Sequence, residues 1–238
     1  MGGFFGITSR RACVADVYFG ADYHSHLGTH SGGLAAYDKK IGLQRKIRHI
    51  DKAPFRTQLA DCLEDMHGTS AIGCVNDTEP QPMLIRSIHG AYAICFIGNI
   101  INKDYLIEKY LQATWGHFDA MTGGKVNSCE LVAAMIDQKE GLTEGIKFAQ
   151  ENIEGTASIL VLTDKGSLYA ARDKFGRLPV QIGKNGNGHA VSFESYPLQK
   201  LGFEIVKELG PSEIVRMTPG KMTQMAPPTK TKKICSFL

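Results

Sequence analysis

Apolar residues open the chain. Met1-Gly2-Gly3-Phe4-Phe5-Gly6-Ile7 reads as a strand that begins at the amino terminus itself. Chain ends fray unless something ties them down, so a strand that is apolar from its third residue has a structural reason to be there. Cys13 to Phe19 is apolar-rich and predicts a helix that runs toward Gly28, which would serve as its C-cap. Ser31 to Tyr37 reads as a glycine-led strand, and Pro54 to Met66 has helical spacing through Phe55, Leu59, Cys62, Leu63 and Met66.

A strand-rich block follows, with Ala71 to Val75, Met83 to Ile85 and Gly90 to Ile97 as its members. The turn-forming run Asn76-Asp77-Thr78-Glu79-Pro80-Gln81-Pro82 joins the first two. The middle of the chain is helical. Asp104 to Leu111 can be capped by Asn102 or Asp104, Ser128 to Lys139 can be capped by Asn127 or Ser128, and Leu142 to Asn152 is a third helix. From Thr156 the pattern returns to strands: Ala157 to Leu162, Ser167 to Ala171, Val180 to Gly183, Ala190 to Phe193, Ile205 to Leu209 and Glu213 to Met217, with a short helix at Tyr196 to Leu201. Asp164-Lys165-Gly166 makes a hairpin of the first pair. Strand blocks around a helical middle predict an α+β fold, a four-layer αββα sandwich of two mainly antiparallel sheets. The expected domain spans residues 1–218, and the Pro-, Thr- and Lys-rich residues 219–238 form a tail or the start of another domain.

Composition narrows the function classes. With 238 residues, 43% hydrophobic and 21% charged, the chain can build a large core. The net charge of +3 is small, and part of it lies in the tail at Lys230, Lys232 and Lys233, so nucleic acid is not an expected partner. Met1 runs into Gly-Gly-Phe-Phe without a basic region, so no signal peptide is expected. The longest apolar run, Ala91 to Ile101, is too short to span a bilayer. The cysteines at 13, 62, 74, 95, 129 and 235 form no CxxC pair, which fits a reducing cytoplasm.

Short motifs punctuate these elements. After the opening strand come His26-Leu27-Gly28-Thr29-His30-Ser31-Gly32-Gly33, Gly73-Cys74-Val75-Asn76 with Pro80-Gln81-Pro82, and Phe96-Ile97-Gly98-Asn99-Ile100. Asn127-Ser128-Cys129-Glu130, then Arg172-Asp173-Lys174-Phe175-Gly176-Arg177-Leu178-Pro179, then Phe193-Glu194-Ser195 and Ser212-Glu213-Ile214-Val215 complete the series. In this order and register the chain resembles the class II glutamine amidotransferase domain, an N-terminal-nucleophile hydrolase, and most closely the glutaminase half of amidophosphoribosyltransferases. The family pattern opens with Met-Cys-Gly-Ile-x-Gly-Ile. The resemblance implies that fold, a role in purine nucleotide biosynthesis, and a nucleophile at the second position whose freed amine acts as its base.

The departures fall on the positions that carry the chemistry. Gly2 stands where the family has its nucleophilic cysteine. Asn76 stands where an arginine grips the glutamine carboxylate, and Ser128 where an aspartate binds the glutamine amine. The oxyanion asparagine is Ile97, and only its neighbour Gly98 remains as a residual donor. The resemblance therefore implies a glutaminase-like domain unable to hydrolyse glutamine. The pocket near these residues is expected to carry less charge and be more apolar than a glutamine site. Gly2 and Gly3 are expected to be there for close packing against the opposing sheet.

Substitutes are poor. Cys13 lies in an apolar segment, and Thr8 and Ser9 lie beyond the first strand. His24, His26 and His30 lack an accompanying acidic or cysteine pair, so no metal and no cofactor are expected. The loop Asn185-Gly186-Asn187-Gly188 joins two strands and is no phosphate cradle. At the end, Ile234-Cys235-Ser236-Phe237-Leu238 matches the family segment that enters the phosphoribosyltransferase domain, so that domain is the expected partner absent from this sequence. The alternative on the same fold is a non-catalytic module that binds a small molecule or a protein partner. Homo-oligomerisation is open.

Overall fold

A computed structural model describes residues 2–233; Met1 and the segment 234–238, with the expected Cys235 motif, lie outside the described residues. The chain begins with β1 (Gly2–Ser9), α1 (Val14–Asp22), β2 (Ser31–Asp38) and β3 (Gly42–His49). The one-turn helices α2 (Phe55–Gln58) and α3 (Cys62–Asp65) lead to β4 (Ser70–Asn76), β5 (Met83–Ser87) and β6 (Gly90–Ile100). Next come α4 (Lys103–Thr114), the short pair β7 (Met121–Thr122) and β8 (Lys125–Val126), α5 (Ser128–Ile136) and α6 (Leu142–Asn152). The remainder is β9 (Gly155–Thr163), β10 (Leu168–Ala171), β11 (Gln181–Lys184), β12 (Gly188–Ser192), α7 (Ser195–Lys200), β13 (Glu204–Glu208), β14 (Ile214–Met217) and β15 (Met222–Ala226).

Two large antiparallel sheets result. The seven-stranded sheet has the order β13-β11-β12-β1-β4-β2-β3, and the six-stranded sheet the order β15-β14-β10-β9-β6-β5. β1 is central in the first, paired with β12 on one side and β4 on the other. Its alternation explains why. Phe4 points into the core between the sheets with Ile72, Cys74, Cys95, Leu160 and Val191, and Phe5 points the other way, against Val17, Ala21 and Phe55. Both rings are fully buried, and each contributes about 1.5–3 kcal/mol by leaving water. On the far side, α5 and α6 cover the six-stranded sheet through Leu131, Val132, Met135, Ile146 and Ala149. This is the expected αββα layering.

Several local expectations change. α1 stops at Asp22 with Tyr23 as its C-cap, well before Gly28. Gly28 instead lies against the backbone of Asn76, where an added Cβ would come within 2.6 Å of Cα and N. The segment 54–66 is two single turns rather than one helix, because Leu59 leaves helical geometry between them. Strand β3 has no counterpart in the sequence reading. It is an edge strand with few buried positions, so it lacks an apolar alternation to betray it. β6 does not end at Ile97 but runs through Gly98 and Asn99 to Ile100. Asn102 makes no side-chain cap to α4; its amide binds the Asn152 carbonyl and the Glu154 N–H instead. Beyond residue 218, β15 pairs with β14 and forms the edge of the six-stranded sheet. Cys13, Cys62, Cys74, Cys95 and Cys129 are free and buried. Among the described residues no helix is long and apolar enough to cross a membrane.

Candidate functional site

The topology brings the ends of several elements together. β1 pairs with β4 so that Gly2 lies opposite Asn76. Ile97 and Gly98, late in β6, come from the other sheet, and Ser128 opens α5. Asn76, Ile97, Gly98 and Ser128 line one cavity of about 60 Å³, together with Thr78, Glu79, Gln81 and Phe96. Gly2 is not in its wall but adjoins it. A Cβ built at Gly2 would lie 2.6 Å from the Val75 carbonyl oxygen and 3.0 Å from both Asn76 Cβ and Ile97 Cδ1. Side-chain atoms do not approach backbone that closely, so position 2 has no room for one without a shift of the strand or of Ile97. Gly3 is equally confined, but from the other side: its Cβ would meet His24 Cδ2 at 2.8 Å and Leu27 Cδ1 at 3.0 Å. Gly2 thus packs toward the opposing sheet, and Gly3 packs on the turn after α1 rather than on that sheet.

The wall is not stripped of charge. Glu79 reaches across to the start of α5, where its Oε2 accepts from Ser128 N–H at 2.8 Å and its Oε1 accepts from Ser128 Oγ at 2.9 Å. Lys103, at the start of α4, donates to Glu79 Oε1 at 3.0 Å and lies 2.9 Å from Ser128 Oγ. The Glu79 side chain is 12% exposed and that of Lys103 21%. The expectation of an apolar, weakly charged pocket is therefore corrected: a carboxylate and an ammonium neutralise each other at its rim. Neither was picked out in the sequence, because Glu79 sits in a run that reads as a turn and Lys103 reads as an ordinary helix start.

Asn76 has two faces. Its Oδ1 accepts from Thr78 N–H at 3.0 Å and Glu79 N–H at 2.8 Å, which folds the loop after β4 back on itself. Its Nδ2 is buried without a hydrogen-bond partner in the protein, although the residue is 3% exposed. Gln81, also buried, fixes β6 by accepting from Phe96 N–H at 2.8 Å. Asn127 caps α5 from within its own sequence, accepting from Cys129 N–H at 2.8 Å.

The hydroxyl groups in this cavity's wall are those of Thr78 and Ser128, and Ser128 Oγ is engaged by Glu79 and Lys103. The wall holds no cysteine or histidine among the described residues. Cys13 is buried in the core beneath α1, where burial pushes its thiol up to about 12. Burial likewise raises Cys129 well above the ordinary thiol range. Thr8 lies toward the opposite end of β1, bound to the Gly166 carbonyl at 3.2 Å. The three histidines do not converge. His24 is buried, with Nδ1 2.8 Å from the Gly20 carbonyl and Nε2 3.2 Å from Ser192 Oγ. His26 pairs with Glu194 and His30 packs on His49. Among the described residues no group of three or more such side chains could hold a metal ion. A larger hollow of about 470 Å³ lies under residues 226–231, lined by Lys147, Gln150 and Phe175, and holds none of the candidate residues.

Comparison with known proteins agrees with the layering. The glutamine amidotransferase domain family matches residues 56–200. An amidophosphoribosyltransferase of Methanocaldococcus jannaschii is 28% identical over 93% of this chain and 48% of its own. The amidophosphoribosyltransferase of Methanothermobacter thermautotrophicus is 25% identical, over 99% of this chain and 50% of its own. The chain thus spans about half the length of these curated relatives. In structure it is similar to the glutamine phosphoribosylpyrophosphate amidotransferase of B. subtilis solved with ADP and GMP, with a TM-score of 0.86 at 23% identity, covering 99% of this chain and 51% of that one.

Proposed function

Because the chain belongs to the glutamine amidotransferase domain family, we propose that it is the glutaminase-like half of an amidophosphoribosyltransferase-type protein of purine nucleotide synthesis, and that it does not hydrolyse glutamine. The observation that carries the second part is the confinement of Gly2. The position that would bear the nucleophile has no side chain, and Val75 O and Ile97 Cδ1 occupy the space one would need. The supporting changes point the same way. Asn76 cannot pair with a carboxylate as a guanidinium does, and its oxygen is already committed to the loop. Ile97 supplies no oxyanion donor, a loss that by itself costs about a hundredfold or more in rate.

In this reading the domain runs past the expected boundary at 218 to include β15, which pairs with β14, and a phosphoribosyltransferase half completes the protein. Such a protein would join free ammonia to phosphoribosyl diphosphate in that other half. The free, buried cysteines suit a reducing cytoplasm. The test is ammonia release from glutamine by the purified chain. The expected result is none above a heat-killed control, both for the wild type and for Gly2→Cys, whose new side chain would still face Ile97. Clear glutamine-dependent ammonia from the wild type would overturn the proposal.

A further inference from the structure

The arrangement at the start of α5 supplies more hydrogen-bond donors than its capping needs. Asn127 already caps the helix from its own sequence. Glu79, 49 residues away in the chain, is brought to the same place. Around its carboxylate stand the Lys103 ammonium, the Ser128 N–H and the Ser128 hydroxyl. Beside them is a hollow of about 60 Å³ with Asn76 in its wall, and the buried Asn76 Nδ2 donor has no partner in the protein. A buried N–H group without an acceptor costs about 1–3 kcal/mol, so this donor is expected to have an acceptor in the working molecule.

We propose that this cavity is a binding site for a small monocarboxylate, held shut by the chain's own Glu79 side chain acting as an internal ligand. The donor set fits a carboxylate: one ammonium, one helix-terminal N–H, one hydroxyl and one side-chain amide. Exchange of Glu79 for an external carboxylate conserves charge, because Lys103 supplies a single positive charge. A phosphate dianion would leave excess charge in a partly buried place. Size sets the upper limit. The hollow, enlarged by the space of one glutamate side chain, suits formate or acetate rather than a molecule as long as glutamine. An intramolecular carboxylate on a short loop competes at an effective concentration in the millimolar range or above, so an external one meets a site that is mostly occupied.

The inference stands whether or not the domain hydrolyses glutamine, because its test reads acetate and not ammonia. Melting temperatures of the wild type, Glu79→Ala and the double variant Glu79→Ala/Lys103→Met are measured in sodium acetate and in sodium chloride at equal ionic strength. The expected result is a saturable, acetate-specific rise for Glu79→Ala, with apparent affinity about tenfold or more above that of the wild type (roughly 1.4 kcal/mol). The double variant should lose the rise. In Glu79→Ala the side-chain amide resonances of Asn76 should shift with the same acetate dependence. No acetate-specific rise in Glu79→Ala, an equal rise in the wild type, or a rise that survives Lys103→Met would overturn the proposal. Should Glu79→Ala melt without cooperativity, Glu79→Ser also vacates the site, removes the charge and is read the same way through the Asn76 amide.

Discussion

The two ends of β1 are built from the same central strand and solve the same problem differently. At its carboxyl end the polar groups are neutral hydroxyls. Thr8 and Ser70 both reach the Gly166 carbonyl, at 3.2 and 2.8 Å, and each other at 3.1 Å. Each of these side chains has a partner, and they leave no donor idle. At its amino end the strand has glycines, a cavity, a charged pair and an idle amide. The chain is thus able to seal a polar strand end with short hydroxyls, and at one end it does not. The open end is a specific arrangement of residues rather than the default of this fold.

Acid should break the contrast most strongly, through His24 beneath Gly3. Its Nδ1 faces a carbonyl, which can only accept, so Nδ1 carries the proton and Nε2 accepts from the Ser192 hydroxyl. Burial lowers its pKa to about 4. The folded state therefore takes up a proton later than the unfolded chain as pH falls. The stability this neutral imidazole provides is complete above about pH 6.5 and is lost as pH drops from there toward 4, at about 1.4 kcal/mol per unit and about 3 kcal/mol in all. Urea titrations at stepped pH should show this slope in the wild type and a flatter one in His24→Gln. Equal slopes would remove His24 from the account.

Next in size is Gly3→Val. The added branch would meet the His24 ring and Leu27, and overpacking of this kind costs about 1–3 kcal/mol. A denaturation midpoint unchanged from the wild type would mean that the turn after α1 yields freely.

The smallest effect compares the two ends directly. Lys103→Met removes a charged partner from a carboxylate that is mostly out of water, at about 2 kcal/mol, whereas Thr8→Val removes one neutral hydroxyl, at about 1 kcal/mol. Raised salt should narrow the first difference and leave the second. If both variants lose equal stability at every ionic strength, the open end is no more electrostatic than the sealed one.

Much of this was legible in the sequence, and what was missed has a common cause. β1, β4, α5 and α6 follow from apolar spacing and, for α5, from the Asn127 cap, since those signals are local: the two strands are buried on both faces and read as continuous apolar runs, and the helices carry their apolar residues at helical spacing. Strand blocks around a helical middle predicted the αββα layering, and the motif order placed Asn76, Ile97, Gly98 and Ser128 as neighbours. Nothing local identified Glu79 or Lys103. Their meeting depends on how the loop after β4 folds back through Asn76, and that is a tertiary event. β3 was hidden for a related reason: an edge strand with few buried positions draws its structure from its pairing with β2.

The confinement of Gly2 also constrains how this sequence can change with time. A side chain at position 2 clashes while Ile97 stands opposite. A smaller residue at 97, introduced first, would open space beside Gly2 but leave a void in the core cluster that Ile97 shares with Phe4, Cys74 and Cys95. Each step alone should lower stability, and the two together should cost less than the sum of the single changes, since both act on the same space. Positions 2 and 97 therefore form one coupled unit, in which the side chain that fits at either is set by the one that stands at the other.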